Sequence, residues 1–196
     1  EGEALAELEV TERACDINVR ILTACFFFVL VGYAGFQTLS APLYEPSKVG
    51  AVAVGTQVLT FTVCSLGPNT LVLQRFGNRR SMTIAFFGQL LYCAANIVAV
   101  LLEDDSLKYA VLLPFAFVVG VSNAVMWTAQ GLFLTENGAI AAKMSGKSQE
   151  TTTAAYYGLF NTFSALTGLV ALLVQAASGT SPARLFTGFG LLAGLG

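Results

Sequence analysis

Residues 21–31 read Ile-Leu-Thr-Ala-Cys-Phe-Phe-Phe-Val-Leu-Val, and this run decides the fold class. A segment with no charge and three successive phenylalanines has no solvated face for water, yet the apolar stretch around it matches the roughly 20 residues that a helix needs to cross a hydrocarbon core about 30 Å thick. The rest of the chain is built alike. Over 196 residues, 55% are hydrophobic and only 11% charged, and the mean hydropathy is +0.70. A soluble domain carries about a quarter charged residues, so this chain holds too little charge to cover a water-facing surface. The reading is an all-α integral membrane protein, one domain of bundled transmembrane helices.

Working outward, the first span runs from about Asn18 to Leu39 and is expected to stop at Ala41, Pro42 and Pro46, because proline breaks the helical ladder and disfavours helix before it. Ahead of it, residues 1–17 hold six of the twelve acids, with Ala4, Leu5 and Leu8 at helical spacing, and read as a short acidic amphipathic lead-in. A second span covers about 49–73, and Gln74 to Arg80 form a short basic loop. The third covers 81–102. After the acidic cluster Glu103, Asp104 and Asp105, a fourth covers 109–134, with Pro114 expected to kink it. A polar connection from Thr135 to Gln149 leads to a fifth span at 152–175, and a sixth begins at 183–196. The chain starts at Glu1 rather than Met and ends on the apolar Leu191–Gly196, so it is read as part of a longer one.

Lysine and arginine collect on the cytoplasmic side of membrane proteins. With the amino terminus inside, that side receives Arg13, Arg20, Arg75, Arg79, Arg80, Lys143 and Lys147, against Lys48, Lys108 and Arg184 outside. Seven against three places the amino terminus on the positive side.

Several functions are set aside by composition. A net charge of -2 without a basic stripe lacks the electrostatic footprint of nucleic-acid binding. The chain has no histidine, which removes the commonest metal ligand and the usual general base near neutral pH. No metal and no enzyme active site are expected. The four cysteines show no paired spacing, and three lie in apolar runs. Ion-coupled pumps hold an ionisable residue at mid-membrane; here no Asp, Glu, Lys or Arg falls at the centre of a span. The spans instead hold amides and a hydroxyl: Gln37, Gln57, Gln89, Asn96, Asn123, Gln130, Asn161 and Ser164. An amide in hydrocarbon must be hydrogen-bonded, so these groups either bond between helices or line a wet cavity. Small residues such as Gly32 with Gly35, and Gly120 with Ala124, suit close helix packing in lipid.

Two motifs are more specific. Gly67-Pro68, followed by Leu71-Val72-Leu73-Gln74-Arg75-Phe76-Gly77-Asn78-Arg79-Arg80, resembles the loop between helices two and three of the major facilitator superfamily. It departs by placing Gln74 where that loop usually has Asp. Gly120, Trp127-Thr128-Ala129-Gln130-Gly131 and Leu134-Thr135-Glu136-Asn137 look like the signature of one branch of that superfamily, the uncoordinated-ninety-three-like or ion-channel regulatory proteins. Tyr157-Gly158-Leu159-Phe160, with Ser164 and Gly168, is similar to the start of helix five in that branch. Together these matches extend over about residues 49–176.

The resemblance implies that the six spans are the amino-terminal half of a twelve-helix, two-half fold. It implies a gating loop of Gly67, Arg75, Gly77, Arg79 and Arg80. It also implies a non-enzymatic regulator or escort of partner membrane proteins, covered by a second six-helix half or by other subunits. Two other functions stay open. One is a solute carrier whose substrate would sit among Gln37, Asn123, Trp127, Gln130 and Asn161. The other is an accessory subunit docked on a larger, even organellar, membrane complex. Membrane lipid is an expected partner, and no cofactor is evident. A lipid or pigment on the aromatic faces of Phe26, Phe27, Phe28, Phe115 and Phe117 is left open.

Overall fold

The computed structural model describes residues 2–44 and 47–178. They form five helices: α1 (Gly2–Leu43), α2 (Val49–Ser65), α3 (Pro68–Leu101), α4 (Asp105–Ser145) and α5 (Gln149–Ser178). Four segments are long and apolar enough to cross a membrane, namely Glu12–Ser40, Pro68–Leu101, Asp105–Ser145 and Gln149–Leu173, while α2 is a shorter apolar helix of 17 residues. The expected sixth span at 183–196 lies outside the described residues.

The helix ends differ from those expected, and each difference has a local cause. No break separates an acidic lead-in from the first span: α1 is continuous and already buries Cys15 and Val19. It also passes Pro42 and ends at Leu43. The expected second span is interrupted at Leu66 and Gly67, where Pro68 occupies the first turn of α3, a position that needs no backbone N–H donor. The expected connection from Thr135 to Gln149 is mostly helix. There α4 runs on to Ser145, because Asn137, Gly138, Ala141 and Ala142 make a small, buried face. A Cβ on Gly138 would collide with Thr153 Oγ1 of α5. Gly146 closes α4 in the left-handed region at φ 67°, and Asp104 caps its start, its carboxylate accepting from Ser106 N at 2.7 Å. Pro114 lies inside α4 without dividing it.

Gly77 is the turning point. Its φ of 74° and ψ of 166° fall in a region open essentially only to glycine. Ser81 Oγ donates to Val72 O at 3.5 Å, two residues that a straight helix would hold about 13 Å apart. Asn69 and Gln89, about 30 Å apart along a straight helix, both reach neighbouring residues of α4, at Ala124 and Asn123. Thus α3 doubles back at Gly77. Residues 68–76 continue the course of α2 along α4, and residues 78–101 return beside it. The expected basic loop at 74–80 is two helix ends meeting at one glycine.

Contacts at the two ends fix the arrangement. At one end Glu12 lies 3.8 Å from Lys147, Tyr156 OH donates to Asp16 Oδ1 at 2.6 Å, and Asn78 Nδ2 donates to Glu136 Oε1 at 2.8 Å. At the other, Tyr109 OH donates to Ser47 O at 2.8 Å and Tyr44 OH to Asn96 O at 3.3 Å. Glu12, the Gly77 turn and Lys147 therefore share one end, and Ser47 and Tyr109 mark the opposite end.

Candidate functional site

The interior is layered along the bundle. Toward the Glu12 end, one apolar cluster gathers Phe26, Leu30, Met82, Met126 and Phe160. Phe26 sits edge-on to Phe86, Trp127 and Phe160, with centroids 5.4, 6.2 and 5.3 Å away. Toward the opposite end, a second cluster gathers Phe36, Val49, Tyr92, Leu112 and Ala116. Between them lies a polar layer.

That layer is built by four segments. Tyr33 of α1 accepts from Gln37 Nε2 at 2.9 Å and also from Gln57 Nε2 of α2, and Gln89 Nε2 of the returning part of α3 donates to Asn123 Oδ1 of α4. Gln57, Gln89 and Asn123 are 1%, 2% and 4% exposed, so none of these amides can be satisfied by solvent. The layer forms because α2, α3 and α4 approach closely there. Gly120 is the reason: a Cβ on it would stand 2.6 Å from Gln57 O and 2.7 Å from Thr60 Cβ, and one on Gly88 would strike Ser122 Oγ.

A turn nearer the Gly77 end, Asn69 Nδ2 donates to Thr128 Oγ1 at 2.6 Å and to Ala124 O at 3.3 Å, tying the start of α3 to α4. Several buried atoms have no hydrogen-bond partner among the described residues, including Gln57 Oε1, Asn69 Oδ1 and Gln130 Nε2. An orphan amide atom in an apolar interior costs several kcal/mol. These atoms are therefore points where water or a polar ligand group would be held.

Of the five residues expected to line a substrate path, Gln37 and Asn123 lie on this layer. Trp127 is exposed and touches the Phe26 cluster from outside, edge-on to Phe26 and to Phe160, 6.0 Å away. Gln130 is buried near it on α4, while Asn161 is exposed on α5. The five do not form one site. Tyr33 and Asn69 were not expected there. A tyrosine in an apolar run reads as bulk, and Asn69 follows a proline that reads as a helix end, so neither carries a signal in the sequence. Around the turn, Arg75, Arg79, Arg80 and Gln74 are exposed, as expected of a surface loop. Gly67 also has a positive φ, of 155°.

The layer holds no carboxylate, ammonium or guanidinium. Indeed no Asp, Glu, Lys or Arg is buried among the described residues, which likewise contain no metal-binding group of His, Cys, Asp and Glu.

Comparison with known proteins gives the same direction as the motifs. Over 143 residues, 73% of this chain, it is 24% identical to the proteins named unc-93 homolog A of Homo sapiens and of Bos taurus. It resembles the unc-93 proteins. A protein of Caenorhabditis elegans named "Putative potassium channel regulatory protein unc-93" is also 24% identical over 143 residues. The match spans 30% of the length of the two unc-93 A homologues and 19% of the nematode protein. No family model matches the chain, and no solved structure matches it.

Proposed function

We propose that this chain is part of a non-enzymatic, multi-pass membrane protein that regulates or escorts a partner membrane protein, a channel above all. The observation that carries the reading is the uncharged interior: the polar layer of Tyr33, Gln57, Gln89 and Asn123 is joined by side-chain hydrogen bonds and holds no carboxylate, ammonium or guanidinium of the kind that ion-coupled pumps keep at mid-membrane. The similarity to a nematode protein named as a putative potassium channel regulatory protein supports the same function. In this reading the five helices, with the segment beyond them, make the first half of a two-half transporter-type fold, and a second half covers the exposed faces. The arginine-bearing end with the Gly77 turn faces the cytoplasm, where basic residues accumulate.

The test is functional and physical together. The full-length protein is co-expressed with potassium channels and isolated in mild detergent, and the same protein is reconstituted into liposomes. A channel that co-purifies with it and whose current changes with its expression supports the proposal. Saturable solute uptake by the liposomes, abolished by Asn123→Ala, would sink it.

A second reading, a solute carrier, draws on the unpartnered Gln57 Oε1 and Gln130 Nε2, which suit a neutral, hydrogen-bonding solute. It predicts that uptake result.

A further inference from the structure

A cleft of about 220 Å³ opens between α1 and the returning segment of α3, away from the amide layer. Its two walls run in the same direction, so its ends differ in chemistry. Toward the Glu12 end the mouth carries Asn18 and Arg79, with Thr83 one turn further in. Deeper, the lining is Ile21, Cys25, Met82 and Phe86, and Phe133 of α4 lies behind them. From Asn18 to Cys25 the cleft extends about 10 Å at the rise of an α-helix, which keeps it inside one leaflet of a hydrocarbon core about 30 Å thick.

Arg79 gives the cleft its sign. It is exposed at the mouth, and neither the Lys108–Asp105 nor the Lys147–Glu12 salt bridge involves it. Arg75, across the turn, and Arg80, beside it, are exposed as well. A planar guanidinium presents paired N–H donors that match a phosphate, and basic groups at a membrane surface attract anionic lipid. We infer that this cleft is a binding site for an anionic phospholipid, with the phosphate on Arg79 and the first part of one acyl chain against Ile21, Met82 and Phe86. A protein helix laid over the cleft would satisfy the apolar wall but would leave Arg79 in need of a carboxylate.

Cys25 lies in the cleft and is half-buried, and Cys64 on α2 serves as an internal reference. The full-length protein is placed in nanodiscs of phosphatidylcholine alone or of a one-to-one mixture with phosphatidylglycerol, and maleimide labelling of each cysteine is followed by peptide mass spectrometry. Cys25 is expected to label about fivefold more slowly relative to Cys64 in the anionic nanodiscs, the weight of one arginine–lipid interaction. Arg79→Gln should remove the difference while leaving the Cys64 rate unchanged. Lipid extracted from the protein purified in mild detergent provides a second measurement that needs no variant, and anionic phospholipid should be enriched over its share of the source membrane. Equal Cys25 rates in the two nanodiscs, a difference that survives Arg79→Gln, or no enrichment in the extract would each overturn the assignment. If Cys25 stays unreactive in detergent as well as in both nanodiscs, as a thiol too deep to ionise would, the lipid extract alone decides, with enrichment supporting the assignment and its absence overturning it.

Discussion

Gln89 and Asn123 bond to one another where no solvent reaches, so each is needed mainly because the other is there. Replacing one leaves an orphan in an apolar surrounding, whereas replacing both removes the demand. Gln89→Leu is therefore expected to destabilise the folded state by about 1 kcal/mol, the scale of an interhelical bond in lipid. Gln89→Leu with Asn123→Leu should cost less than the sum of the two single changes. Unfolding in mild detergent, followed by circular dichroism, measures both, and strict additivity would contradict the pairing. Gly77 makes a different demand, on the backbone alone, since nothing lies within 4 Å of the Cβ position and only the dihedral angles exclude a side chain. Gly77→Ala should cost about 1–3 kcal/mol, while Gly55→Ala, on a helix and equally open, should be neutral or slightly stabilising. The same unfolding assay separates them; similar losses at both positions would refute the turn.

Between elements, small residues set the spacing and a few polar contacts fix the register. Gly120 brings α4 against α2 so closely that Gln57 O stands 2.6 Å from where a Cβ would be. Both flanking groups are backbone or a β-branched stem and cannot swing aside. Gly120→Val should push the helices apart, break the Gln57–Tyr33 contact and cost at least the 1–3 kcal/mol typical of overpacking, read as a lower detergent-resistant melting temperature. At the joint of α1 and α5 the relevant bond is that of Tyr156 to Asp16. The Glu12–Lys147 pair nearby is open to solvent, with Lys147 66% exposed, and such pairs add little. Accordingly Tyr156→Phe should loosen α5 measurably, by faster hydrogen exchange across the start of that helix, whereas Lys147→Gln should leave exchange there unchanged.

For the whole molecule the consequence is sidedness. Single cysteines placed at Glu12, Asn78 and Lys147 should react with an impermeant maleimide from one side of the membrane, and cysteines at Lys48 and Glu103 from the other. This follows because Glu12 meets Lys147 and Asn78 meets Glu136 at one end, while Ser47 meets Tyr109 at the other. Labelling of Lys48 and Glu103 from opposite sides would mean that α3 does not double back.

Solvent preference is a property of composition, and the sequence alone therefore determined the class. Runs such as 21–31 can be satisfied only in lipid or in a bundle, and the helices at α1, α4 and α5 follow from them. The motif residues Gly77, Arg75, Arg79 and Arg80 were legible for a similar reason, since a glycine among basic residues marks a turn whatever surrounds it. Helix ends were less legible: the stretch from Thr135 to Ser145 is polar enough to read as a connection, and only burial of its small face against α5 makes it helix. The amide layer was decided by tertiary structure. Each of Tyr33, Gln57, Gln89 and Asn123 is an isolated polar residue in its own apolar run, and their common depth arises only when Gly77 reverses α3 and Gly120 and Gly88 let the helices close. Hydrogen bonding across helices depends on register and distance, which composition does not carry and packing does.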